Sequence, residues 1–173
     1  KIKLKHLKLF WEDLKKYIST QNFKIGIDPK LHSISEIYKI QKLTLKNSSS
    51  IKFLSSNIID KIWIDKPRIK YSKIFDHPIK YSGCDRVEKL DECIKFLNQK
   101  QIDHYLITGL DNIAWLLNIR ADDILYTPLV FSYLLISKKN RHSLYIKQDK
   151  LNDKLKLKLE KYINIYSINK IEN

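Results

Sequence analysis

The chain has 173 residues, 43% hydrophobic and 30% charged, enough apolar mass to pack one ordinary domain or two small ones and too much for wholesale disorder. Its longest apolar runs, such as residues 129–136, are far below the roughly 20 residues of a membrane span; no secretory apolar region follows the basic start, and two cysteines make neither a disulfide scaffold nor a four-cysteine zinc site. The formal charge of +14 comes from lysines spread through nearly every segment, alongside abundant Ile and Asn whose codons are also AT-rich, so it is weak evidence for a nucleic-acid partner.

In chain order, Leu4, Leu7, Phe10, Trp11, Leu14 and Ile18 fall three and four apart and predict an amphipathic helix over 3–18. Residues 23–28 alternate like a short strand that stops at Pro29. Ser33 with Glu36 three places on is a capping box, opening a helix through about Leu45. The polar run 47–50 closes it, 51–54 is a further strand, and 57–65 holds a short helical turn. Pro67 forbids a continuing helix, and the polar stretch around it is the expected domain boundary.

Beyond it, Pro78 and Gly83 punctuate an expected loop, and Val87, Leu90, Ile94 and Leu97 mark one face of a helix over 86–99, with Cys93 on its apolar side as a core residue. A strand over 102–108 ends at Gly109, where Asp111 is placed to cap a helix through Asn118. The apolar runs 129–136 and 143–146, separated by Lys138-Lys139-Asn140, predict an antiparallel hairpin, followed by a Lys-rich helix over 151–162 and a last strand over 163–165. The expected class is α/β, a mixed β-sheet with flanking helices, in two domains, 1–67 and 68–173.

Chemistry-bearing motifs are scarce. The five histidines, His6, His32, His77, His104 and His142, have no ligand spacing, and three glycines leave no material for a phosphate loop or a dinucleotide fingerprint. Asp28 at a strand end would serve a two-metal nuclease only if Asp65, Asp103 or Asp111 converged on it; the plainer reading is that Asp28-Pro29 starts a turn. No residue is therefore assigned a catalytic, cofactor-binding or metal-ligating role.

Three collinear stretches nevertheless resemble the Xaa-Pro aminopeptidases (aminopeptidase P). They are Ile25-Gly26-Ile27-Asp28-Pro29, then Asp60-Lys61-Ile62-Trp63-Ile64-Asp65-Lys66-Pro67, then Thr108 through Arg120, the last followed by Asp123, Pro128 and Phe131-Ser132-Tyr133. The resemblance covers about 23–145, and it departs from the family at Ala121, where glycine is usual. It implies creatinase/prolidase-type N-terminal domains, both incomplete: 1–67 as the C-terminal part of a first and 68–173 as a second. It further implies a parent metallopeptidase of the cytoplasm that removes the first residue of peptides with proline second. That parent would carry a dinuclear manganese site in a "pita-bread" catalytic domain that this sequence lacks, and a homodimer is compatible with it.

The absence of any methionine also suggests a piece of a longer chain. The segment alone is expected to be inactive, which release of the first residue from a Xaa-Pro peptide with added manganese would test. Asp111, Trp115, Asn118, Arg120 and Asp123 are candidate interdomain or cleft-wall residues. In the plainer reading Trp115, Leu116 and Ile119 are core, Asp111 is a cap, and Arg120 pairs with Asp123. The alternative functions are a basic α/β nucleic-acid-binding module and a non-enzymatic partner-binding protein.

Overall fold

In the computed structural model, residues 9–67 and 72–172 are described. They fall into two units, Lys1–Pro67 and Arg68–Asn173. Part of the expected first helix, with Leu4 and Leu7, lies outside the described residues, as does 68–71 after Pro67.

In the first unit, the apolar stripe forms α1 (Phe10–Ile18), whose Ile18 is fully buried. β1 (Lys24–Ile27) and β2 (Ser50–Phe53) pair in parallel, with α2 (Ile34–Leu45) as the crossover that parallel strands require. Ser33 and Glu36 close the expected capping box: the Ser33 hydroxyl accepts from the Glu36 N–H at 3.3 Å, and the Glu36 carboxylate accepts from the Ser33 N–H at 2.8 Å. Asp28 caps the 3₁₀ turn Pro29–Leu31 by accepting from the Lys30 N–H at 2.9 Å, and its other oxygen accepts from Asn57 Nδ2 at 2.9 Å. The turn reading of Asp28-Pro29 is what the chain adopts. α3 (Ile58–Ile62) follows, leaving Phe53, Ile58, Ile59 and Trp63 exposed.

The second unit is built on a four-stranded mixed sheet in the order β4 (His104–Ile107), β6 (Ser132–Ser137), β7 (His142–Ile146), β8 (Ile163–Ser167). β6 and β7 form the expected antiparallel hairpin, but residues 129–131 stay out of it. β7 and β8 are parallel, joined through α7 (Asp153–Leu159), which starts later than expected because Asn152 caps it and ends sooner, at Leu159. One sheet face carries Leu134, Ile136, Leu144, Ile146 and Ile163 into a single core with Leu90 and Leu97 of α5 (Arg86–Gln99) and Ile113, Leu116 and Leu117 of α6 (Leu110–Leu117). Cys93 lies at the margin of that core, half-buried rather than inside it. The expected loop at 78–83 instead winds into one helical turn, α4 (Ile79–Ser82), ended by Gly83 in the left-handed region at φ 75°. Proline is welcome at such a helix start because its missing N–H would have no partner there, and glycine takes the left-handed stop without a Cβ clash. β3 (Phe75–Asp76) pairs with β5 (Ile119–Arg120) in a separate two-stranded clasp.

His142, buried on β7, accepts through Nδ1 from the Ser137 N–H at 3.2 Å, and burial holds its pKa below the usual histidine value. Below the unfolded value near 6.5 the unfolded chain takes up this proton before the folded one, so stability falls as pH drops toward the folded pKa. Urea midpoints at pH 7.5 and pH 5 should show this acid loss, and His142→Gln should flatten it. An unchanged pH slope in the variant would assign the effect elsewhere.

Candidate functional site

α6 and the chain that follows it hold all five residues singled out from the sequence. The N-cap of α6 is Gly109, not Asp111. Gly109 takes the cap because a Cβ there would stand 2.8 Å from Asn112 Nδ2 and 3.2 Å from Asp111 Oδ1, so both side chains fold back over a bare backbone. Asp111 sits exposed in the first turn, where its charge complements the helix dipole without a capping bond.

At the other end Asn118 stops the helix in the left-handed region, φ 49° and ψ 47°, a conformation asparagine tolerates better than most residues. Its side chain is buried and bonded at both ends: Oδ1 accepts from Lys89 Nζ at 2.7 Å and Nδ2 donates to the Cys84 carbonyl at 3.0 Å. Its own carbonyl accepts from the His77 N–H at 2.7 Å. Lys89 also donates to the Trp115 carbonyl at 2.7 Å and lies 4.3 Å from the centre of the Trp115 ring. Burial pulls the Lys89 pKa below the ordinary lysine range.

Trp115 is not core. Leu116 and Ile119 are buried, but Trp115 is 54% exposed, since the turn from one helical residue to the next carries it off the face that meets the sheet. With Cys93, Phe96 and Tyr105 it walls a groove of about 740 Å³, along which Glu88 and Glu92 also lie.

The expected Arg120–Asp123 pair does not form. Arg120 Nη1 turns back to donate to the carbonyls of Ala114 at 2.5 Å and Ile119 at 2.9 Å, tying the end of α6 to β5. Asp123 is sealed inside: Lys150, 27 residues later, donates Nζ to its Oδ2, and the side chains are 0% and 3% exposed. Oδ2 also accepts from the Phe131 N–H at 3.0 Å and Oδ1 from the Ser72 N–H at 3.4 Å. One carboxylate thus gathers both ends of the loop 122–131. At its tip the Thr127 N–H donates to the Ile124 carbonyl at 3.1 Å, and Tyr126 turns with φ 63°. The tip is apolar and open to solvent, Leu125 at 77% and Tyr126 at 96% exposed. Ala121, at the place where glycine is usual, is fully buried with a negative φ, so its Cβ meets no backbone obstacle.

Sequence reasoning thus missed Lys89, Lys150 and the Leu125–Tyr126 tip. The lysines gave no signal, being 29 and 27 residues from their partners; the apolar pair between Asp123 and Pro128, in a stretch otherwise marked as loop, was a signal.

A family model described as the creatinase/prolidase N-terminal domain matches residues 65–173. A curated "Probable Xaa-Pro aminopeptidase P" of Leptosphaeria maculans is 31% identical over 85% of this chain and 24% of its own length. Its counterpart in Aspergillus fumigatus is 34% identical over 85% of this chain and 22% of its own. The crystal structure of X-prolyl aminopeptidase from Caenorhabditis elegans, described as a cytosolic enzyme with a di-nuclear active site, superposes with a TM-score of 0.79 at 25% identity, over 97% of this chain and 26% of that one. The chain therefore spans about a quarter of the length of these relatives.

Proposed function

The chain belongs to the creatinase/prolidase N-terminal domain family, and from that premise we propose that it is the non-catalytic N-terminal region of a metal-dependent Xaa-Pro aminopeptidase. In this reading residues 1–67 are the C-terminal part of a first N-terminal domain and 68–173 a second, the parent enzyme removes the first residue of peptides with proline second, and it works in the cytosol. Support for the identity of the parent comes from relatives named for that activity and from a structural neighbour described as cytosolic.

The observation that carries the role is the loop 122–131. An anchor at Asp123 with no exposed side-chain surface holds out two large apolar side chains with none of the core around them. Loops positioned by a rigid base are the usual carriers of recognition, and an exposed Leu–Tyr pair gains about 1.5–3 kcal/mol per side chain when covered. The occupant is the catalytic domain of the same polypeptide, supplied by the remaining three-quarters of such relatives; the docked loop narrows the way into its cleft. Among the described residues no three His, Cys, Asp or Glu side chains are grouped to hold a metal, and Asp123 spends its oxygens on Lys150 and two backbone N–H groups. These residues do not fit a dinuclear manganese centre; that centre is assigned to the catalytic domain and no step of the reaction is derived through it.

The test is Leu125→Ser/Tyr126→Ser, made both in the parent enzyme and in the 173-residue chain. The expected result is a Tm several degrees lower in the parent only, with a changed preference for peptide length. Equal Tm shifts in the two backgrounds would refute docking.

A further inference from the structure

A second cavity of the 68–173 unit, about 430 Å³, lies at the start of α5. Asp76, Asp85, Arg86, Lys158, Lys161 and Tyr162 line it. Its charges are unequally committed. Asp76 is shared between Arg86 Nη2 and Lys158 Nζ, the latter at 2.5 Å. Burial alone would push the Asp76 carboxyl up, but these two donors hold it below the usual carboxylate range. Asp85 is turned onto the helix, accepting from the Val87 N–H at 2.8 Å. Three cations therefore face two carboxylates that are already engaged.

One guanidinium nitrogen and one ammonium group are left over. The Arg86 side chain is nine-tenths buried, and its Nη1 has no hydrogen-bond partner, the only buried side-chain nitrogen or oxygen so placed among the described residues. A guanidinium N–H left dry and unbonded costs more than a neutral one, so the site favours an acceptor there. The Lys161 ammonium has no hydrogen bond or ion pair among the described residues, and α5, 14 residues long, turns the positive end of its dipole to the same cavity.

We infer that this cavity binds a phosphate-class oxyanion between Arg86, Lys158 and Lys161. A carboxylate is the poorer match: it brings two oxygens and a single charge to a cavity lined by three cationic groups. A tetrahedral oxyanion accepts single bonds from donors arriving from different directions, which the Arg86 guanidinium and two ammonium groups supply. The same donors would take free phosphate or the phosphoryl end of a larger molecule, and the volume lies in the small-ligand range of about 300–1,000 Å³.

The experiment is phosphorus NMR and calorimetric titration of the 173-residue chain with inorganic phosphate and, separately, with adenosine monophosphate. The expected result is saturable binding of at least one probe with Kd of about 1 mM or tighter at low salt. Lys161→Ala, a solvent-facing change, should weaken it about tenfold, as loss of one charge-assisted contact does, with Lys170→Ala as a neutral control. Binding of phosphate itself identifies the free ion as sufficient; binding of the nucleotide alone identifies a phosphoryl group on a larger ligand. No binding of either probe, or binding that Lys161→Ala leaves unchanged, would overturn the inference.

Discussion

Asp123→Ala should destabilise the 68–173 unit by about 3–5 kcal/mol, the size of effect expected when one member of a buried ion pair is removed and its partner left charged in the dark. Three donors lose their acceptor at once: Lys150 Nζ and the N–H groups of Phe131 and Ser72. The loss should appear in urea unfolding as a lower midpoint with an unchanged slope. A second readout separates clamp from core. If Asp123 gathers the loop ends, limited proteolysis should cut the variant between residues 124 and 127 before any other site, under conditions where most of the protein is folded. Adding Lys150→Met removes the ammonium that Asp123 had held and should recover part of the stability without restoring protection of the loop. Stability within 1 kcal/mol of the wild type in Asp123→Ala would mean that water reaches the pair, contrary to the packing around it.

Asn118→Ala should cost about 3 kcal/mol or more, and Asn118→Gly distinctly less. Two terms add in the alanine variant. A Cβ in the left-handed region costs about 1–2 kcal/mol without the side-chain bonds that let asparagine bear it. Truncation also takes one of two acceptors from the Lys89 ammonium, which keeps the Trp115 carbonyl, and one of two donors from the Cys84 carbonyl, which keeps the Ser82 hydroxyl; the charged bond is worth about 1.5–3 kcal/mol and the neutral one about 0.5–1.5 kcal/mol. Glycine escapes the first term and keeps the second, so the difference between the variants, read from paired urea titrations, measures the backbone term alone. Equal losses would show that the helix stop is indifferent to conformation. Because Lys89 also sits over the Trp115 ring, tryptophan fluorescence should shift in both variants, reporting that the groove wall has moved.

What the sequence disclosed and what it hid divide along one physical line. Features set by residues three or four apart were readable: the Ser33–Glu36 box and the end of α2 at Leu45, both bounds of α5, and the β6–β7 hairpin. Features set by distant partners were not. Arg120 and Asp123 are neighbours of opposite charge, which favours pairing them on paper. In the fold each has a better offer: open carbonyls at the end of α6 for Arg120, and a lysine 27 residues downstream for Asp123. Trp115 obeys helical periodicity only if the apolar face is taken to be wide, and the sheet meets a narrower strip of α6. Asp111 fails as a cap by two positions because the strand ends early enough for Gly109 to begin the helix. The family resemblance rested on this stretch together with 25–29 and 60–67, and the family model matches 65–173; the contacts of these side chains came only from the structure.

The β3–β5 clasp joins distant parts of the 68–173 unit. The β6–β7 ribbon closes over residues 138–141 and α5 nucleates locally, but Phe75 must find Arg120 across more than forty intervening residues, a slow search paid for only after the sheet exists. Asp76 rides on that clasp and Arg120 completes it. The anion cavity and the root of the 122–131 loop therefore hang on one long-range pairing, and a change that opens the clasp should disturb both together.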